Sequence, residues 1–302
     1  VFGIGFVCII LTYAAIIISI SVIAFRTISI WRMPIHLRWE LAPVPGEKGR
    51  DGYGGSYLEE YEWWTKKRKK SIAHELLYMA REIFLLTSVR ENNKSLWIFS
   101  LPFHWGIYIL AFTAVLLGAD ALFSFGIYTP AVILAYAGYS AGVVGTAGLL
   151  VKRAVDPNLR SYSAFSNYFN LCFLTVLFSS GLYALIATDR FAYHVVLFIS
   201  ALIHADFSPA IPTALSVHII VVMLFVIYLP FTQMIHFVAK YFTYHSIRWN
   251  DMPMNEKMGR AIAALMGQSV SWSARHVQGG SEKNWIDVAQ EDMKDEKDDK
   301  LK

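Results

Sequence analysis

The sequence predicts an all-α integral membrane bundle of about five transmembrane helices, with a cytoplasmic interfacial helix and a short helix on the periplasmic side. Three observations predict it. Of the 302 residues, 55% are hydrophobic and 15% aromatic, where a soluble domain runs nearer 45–50% apolar, roughly. Five uncharged runs are each long enough to cross a bilayer as a helix. An open sheet of that composition would leave its backbone unpaired in lipid, so the runs read as helices.

The runs cover 2–25, 96–119, 131–151, 165–187 and 211–239. The first lacks the basic start and small-residue cleavage site of a leader peptide, so it is expected to remain as a span. Gly138 and Gly142 form a small-xxx-small step in the third, a signal of close helix packing. Pro230 can kink the fifth. Between the fourth and fifth, the apolar segment 191–203 is too short to span, and Asp206 and Pro209 follow it; it reads as an interfacial or re-entrant helix. Ahead of the second run, Ile72, Leu76, Met79, Ile83 and Leu86 recur at helical spacing behind Trp63, Trp64 and the block Lys66, Lys67, Arg68, Lys69 and Lys70. That is an amphipathic helix at headgroup level. Cys8 and Cys172 both fall inside spans, which excludes a disulfide framework, an iron–sulfur cluster and covalently attached haem.

Charge sets the expected orientation. Of the Lys and Arg residues, 12 lie in 31–95 and 10 from Lys240 onward, with Lys152, Arg153 and Arg160 after the third run. The other side carries Arg190 with Asp120, Asp189 and Asp206. By the positive-inside rule the N-terminus is outside and the tail cytoplasmic, in an inner membrane. The chain then divides into span 1–30, cytoplasmic docking connection 31–95, four-helix membrane core 96–239 and cytoplasmic tail 240–302. No nucleic-acid partner is expected.

Histidines within spans default to function. His218 and His236 are 18 residues apart; on one helix that is five full turns, roughly 27 Å, with both rings on one face. His236 comes near the cytoplasmic end, and His104, about two turns into the second run, matches its depth. Two facing imidazoles at one level form an axial bis-histidine haem b site, and Gly106 would leave room for the macrocycle. A symmetric outer site wants a second histidine near Ala114, and there is none. His218 is expected to ligate an outer haem with His204 or His194, which stay as alternatives. At least one haem b, and two in the full reading, follow. Quinone chemistry moves protons with electrons, so Asp120, Asp189, Arg190 and Asp206 are candidates for a quinone site, together with His194 and His204. His36, His74, His245 and His276 read as surface histidines.

The stretch His218, Pro230, Phe231, Thr232, His236 resembles the last core helix of the respiratory nitrate reductase gamma subunit. The connection resembles another group more closely. It runs Met33-Pro34-Ile35-His36-Leu37-Arg38-Trp39-Glu40-Leu41, then Pro43-Val44-Pro45, Tyr53-Gly54-Gly55-Ser56-Tyr57, Glu59-Glu60 and Trp63-Trp64. With the tail motif Trp272-Ser273-Ala274-Arg275-His276, it is similar to the cytochrome b membrane subunits of sulfate reducers, above all the DsrM (HmeC) type of the DsrMKJOP complex; the Tmc complex has a similar subunit. That resemblance implies electron transport between menaquinone and a cytoplasmic heterodisulfide-reductase-like iron–sulfur partner, DsrK, in sulfate reduction. It also implies DsrP, DsrJ and DsrO-like sister subunits. The expected class is a quinone-linked oxidoreductase subunit. The alternatives are a haem-free membrane anchor and an ion or solute transporter, although no internal hydropathy repeat supports the latter. The Pro/Gly/Tyr-rich run 43–57 has no apolar face of its own and reads as a surface ordered by a partner.

Overall fold

The computed structural model describes residues 3–32, 60–62, 65, 72–249, 256–273 and 279–290. They fall into two compact units, one drawn from 1–59 and 68–249, the other from 60–67 and 250–302.

In the larger unit the helices are α1 (Ile4–Arg32), α2 (Ile72–Leu85), α3 (Thr87–Asn92), α4 (Lys94–Phe123), α5 (Tyr128–Val155), α6 (Pro157–Ser161), α7 (Phe165–Ala187), α8 (Phe191–Ile203), α9 (Thr213–Tyr228) and α10 (His236–Trp249). Five helical stretches are long and apolar enough to cross a membrane: α1, α4, α5, α7 and Thr213–Phe231. This is the predicted all-α membrane bundle. The short apolar helix expected over 191–203 is α8. The five spans give the bundle a basic end, with Arg26, Lys94 and Arg153, and an acidic end, with Asp120 and Asp189.

Packing follows residue size. α5 lies between α4 and α7, α7 packs on α9, and α1 covers α9. A Cβ at Gly106 would come within 2.7 Å of the Gly142 nitrogen and 2.8 Å of the Gly138 carbonyl oxygen. Gly106 therefore lets the α4 and α5 backbones touch, and the expectation that it makes room for a macrocycle is corrected. The glycine step in α5 is the other half of that contact. Tyr139, Phe178, Phe198 and Leu215 fill the core, while Ile17, Val115 and Ile186 stand exposed on the outside, as a lipid-facing surface allows.

α1 is bonded to α9 and to the turns that follow it. Cys8 Sγ reaches the Ser216 carbonyl at 3.7 Å, Ser19 donates to Val226 at 2.6 Å, and Arg26 Nη1 donates to Pro230 at 2.5 Å and Thr232 at 3.3 Å. Cys8 is buried in α1, while Cys172 is exposed on α7.

The fifth span is broken, not merely kinked. α9 ends at Tyr228, and two 3-10 turns follow, Leu229–Phe231 and Gln233–Ile235, with extended Thr232 between them. Pro230 has no N–H to continue the ladder, and the Thr232 hydroxyl caps the second turn by accepting from Met234 N at 3.0 Å. His218 and His236 thus sit on separate helices, and the five-turn count does not carry across the break.

The amphipathic connection is described from Ile72 onward. α2 ends at Leu85, and Leu86, with a φ of 50°, turns the chain into α3. Trp97, Trp105 and Tyr108 of α4 donate to the carbonyls of Leu85, Phe84 and Ile83, at 2.8, 2.9 and 3.0 Å, satisfying the open end of α2. Buried Glu82 accepts from the Ser88 backbone and hydroxyl at 3.1 and 2.8 Å and from Thr87, and lies 3.9 Å from Lys240 of α10. Trp63, Trp64, 66–70, the run 43–57, His36 and His276 lie outside the described residues.

The smaller unit holds α11 (Glu256–Met266), an antiparallel ribbon of β1 (Ser269–Val270) and β2 (Gly280–Asn284), and α12 (Trp285–Gln290). Trp272 meets Trp285 edge-on at 5.9 Å. The mixed-charge end of the tail lies outside the described residues.

Candidate functional site

A half-open cavity of about 1230 Å³ lies among the helices, lined by α4, α5, α7, α8 and α9 and by the start of α10. That is larger than the roughly 300–1,000 Å³ of ordinary small-molecule pockets. Its walls are mostly Phe, Leu, Ile, Val and Met, and three of its lining residues are His104, His218 and His236.

His104 and His236 belong to the basic end. His104 Nδ1 lies 2.7 Å from the Ser100 carbonyl oxygen one turn back on α4. A carbonyl can only accept, so Nδ1 carries the proton and Nε2 keeps its lone pair. That Nε2 has no protein partner among the described residues. It is the arrangement a metal-ligating histidine takes, with one nitrogen tied back and the other open. His236 opens α10 directly after the break, and neither of its ring nitrogens is hydrogen-bonded among the described residues. The two rings are within electrostatic reach of each other. Arg153, Asn167 and Gln233 line the cavity at this same end.

His218 is differently placed. It is 5% exposed, and both nitrogens are engaged: Nε2 by the Tyr139 hydroxyl at 2.8 Å, Nδ1 by the Ser180 hydroxyl at 3.0 Å. Iron at Nε2 would have to displace Tyr139.

The remaining candidates do not line the cavity. His204 is exposed at the end of α8, its Nδ1 2.9 Å from the Ser200 carbonyl oxygen. His194 is half-buried, and its Nδ1 is a buried atom without a partner among the described residues. Asp120 is 2% exposed. Its Oδ1 accepts from Gly126 N at 2.5 Å and Ile127 N at 3.4 Å, closing the α4–α5 turn, while Oδ2 is buried and unpartnered. Asp189 and Arg190 are exposed, and Arg190 begins α8 with a φ of 49°. Asp206 is exposed and accepts from the Ser208 backbone N–H and hydroxyl, both at 2.9 Å; those bonds, the backbone one first, hold its carboxyl below the usual range. His74 is exposed, as expected of a surface histidine. No group of three or more His, Cys, Asp or Glu that could hold a bare metal ion occurs among the described residues.

Sequence reasoning missed Tyr139, Ser180 and Arg26. The available signal was a polar side chain inside an apolar run, which in lipid needs a partner.

Fold and site together define a multi-span helical membrane bundle with three histidines lining an apolar cavity. The family model described as nitrate reductase gamma subunit matches residues 86–251, more than half of the chain. The chain belongs to that family, whose members are membrane electron-transfer subunits of larger oxidoreductases. The match covers α4 to α10, and so every histidine of the cavity. A search among curated proteins gave no match.

Proposed function

We propose that the chain is a haem b membrane subunit of the DsrM type, linking the menaquinone pool to a cytoplasmic heterodisulfide-reductase-like iron–sulfur subunit in dissimilatory sulfur metabolism. It would sit in the inner membrane with its N-terminus outside, beside DsrP, DsrJ and DsrO-like subunits. Family membership supports the class, and the quoted residues of 33–64 support the type. The observation that carries the reading is the pair of His104, from the second span, and His236, at the start of α10, both lining one cavity, with His104 Nε2 unpartnered among the described residues.

The residues at the basic end fit a haem. His104 and His236 would hold the iron, and the bound group would supply a one-electron carrier within the membrane. The Ser100 carbonyl sets the tautomer and aim of His104. Arg26 satisfies the carbonyls freed just before His236. Arg153, Asn167 and Gln233 would offer hydrogen-bond donors to the carboxylates of the bound group. The mostly apolar walls would surround the group with a low-polarity environment.

A second bis-histidine haem at the acidic end does not fit. Both His218 nitrogens are taken, and neither His204 nor His194 reaches the cavity. Among the quinone-site candidates Asp120 is favoured, being a buried acidic side chain with one oxygen unpartnered among the described residues; Asp189, Arg190 and Asp206 are exposed and stay lesser candidates.

The reduced-minus-oxidised absorption spectrum of the purified chain, with haem counted per chain, tests the proposal. b-type bands are expected, and His104→Ala or His236→Ala should each abolish the basic-end haem. Both variants keeping full haem would overturn the pairing. A wild-type chain without b-type bands would leave the haem-free anchor or the transporter.

A further inference from the structure

The buried position of α2, among its described residues, holds an acidic side chain. Glu82 is 5% exposed, while the apolar Ile72, Leu76 and Leu77 of the same helix are more than half exposed. A buried carboxyl is costly unless it is bonded, and Glu82 uses its two oxygens in different directions. Oε1 caps α3, accepting from the Thr87 hydroxyl and from the Ser88 N–H and hydroxyl. Oε2 faces Lys240 Nζ of α10 at 3.9 Å. Capping explains the first oxygen and leaves the second to a contact between helices.

The same end of α2 is fastened to α4. Trp105 and Tyr108 donate to the carbonyls of Phe84 and Ile83 at 2.9 and 3.0 Å. Their rings lie 6.2 and 5.7 Å from that of Phe84. Trp105 follows His104 directly, and Tyr108 comes one turn later. Lys240 in turn comes one turn after His236 on α10, and His236 and Lys240 are both within electrostatic reach of His104. One end of α2 is therefore joined to α4 beside the first proposed iron ligand and to α10 just beyond the second. Otherwise the two helices lean on different neighbours, α4 on α5 and α8, α10 on α1 and the turn before it. The break at 229–235 also leaves α10 without a continuous helix to fix its start.

We propose that Glu82 is a positioning residue for the pair His104 and His236, holding the start of α10 against α4 through Lys240. This rests on the haem reading above. Glu82→Gln keeps an oxygen for the cap and loses the ion pair. Lys240→Met loses the same pair and leaves the cap intact. Ser88→Ala weakens the cap and keeps the pair. The first two variants change charge in opposite senses, so a purely electrostatic effect on the haem potential reverses between them, whereas a loss of position is the same in both.

The test uses the full haem-loaded chain in detergent. The low-field electron paramagnetic resonance signal of a ferric bis-imidazole haem follows the angle between the two ring planes. It is measured together with the haem midpoint potential and with amide hydrogen exchange over 236–242. Glu82→Gln and Lys240→Met should move or broaden the signal in the same sense. Both should speed exchange at the start of α10 about threefold, the scale of a half-exposed ion pair. The double variant should go no further than either single one. Lys240→Arg should keep the wild-type signal, and Ser88→Ala should leave both signal and α10 exchange unchanged. An unmoved signal and unmoved exchange in Lys240→Met, with wild type loaded normally, overturn the positioning role alone and leave Glu82 as the cap of α3. Midpoint potentials that shift in opposite directions under an unchanged signal overturn it as well. A wild type without a bis-histidine signal overturns the haem pairing and this role with it.

Discussion

Arg26 of the first span donates to the Pro230 carbonyl of the fifth, with Nη1 and the oxygen 2.5 Å apart. A proline break inside a membrane exposes backbone acceptors where no water can reach them. One guanidinium, also bonded to the Thr232 carbonyl, satisfies two of these, immediately before the helix that begins at His236. The first span is thereby tied to the link that leads into a proposed iron ligand.

Arg26→Leu should leave both carbonyls without a partner and cost about 1–3 kcal/mol. A lower thermal unfolding midpoint in detergent is expected, with a weakened b-type band. Arg26→Lys should restore part of both. An unchanged midpoint in Arg26→Leu would mean that the break needs no partner from α1.

Gly106→Ala should force the α4 and α5 backbones apart and destabilise the bundle by about 1–3 kcal/mol. Gly118→Ala is the matched control on the same helix, since a Cβ there meets nothing within 4 Å; it should be neutral or mildly stabilising. Chemical denaturation of the two variants side by side checks this. Equal midpoints would contradict the close contact.

Asp120 has two separable roles. Oδ1 closes a turn, and Asp120→Asn keeps an oxygen for that purpose, so folding should survive. The amide cannot take up a proton, and quinol-driven haem reduction should fall at least tenfold, the usual scale for losing a positioned acid–base group. Stopped-flow reduction of the folded variant measures it. A full rate in Asp120→Asn would confine this residue to the turn.

Asp206 should titrate below the ordinary value of about 3.9, because Ser208 bonds to its charged form. Its folded pKa is depressed, so its contribution to loop order is full above the unfolded value and is lost as pH falls through the lower folded one. Carboxyl NMR of Asp206 should show the low value, and Ser208→Ala should raise it toward normal. An unmoved titration would mean the Ser208 hydroxyl is not the partner.

The spans were legible because charge is absent over lengths that only a bilayer crossing needs, and α8 because its run stops short. The pairing of His104 with His236 rested on matched depth, counted from the basic end; both residues line the one cavity. Depth says nothing of side-chain partners. Tyr139 and Ser180 lie 41 residues apart on different helices, and their meeting at His218 is a product of tertiary packing. Gly106 was misread for the same reason, since a small residue marks a close approach without telling what approaches. Pro230 announced a disturbance in the fifth span, but its extent depended on Thr232 capping the next turn and on Arg26 reaching over from α1.

The interruption at 229–235 also decides where this protein can change length. A residue inserted within α5 would swing everything after it by about 100° and pull Gly138 and Gly142 out of register. Inserted beside Thr232, it would enlarge an already irregular link and leave the orientation of His218 untouched. The spacing between the two halves of the fifth span is therefore open to adjustment over evolution, one half at a time.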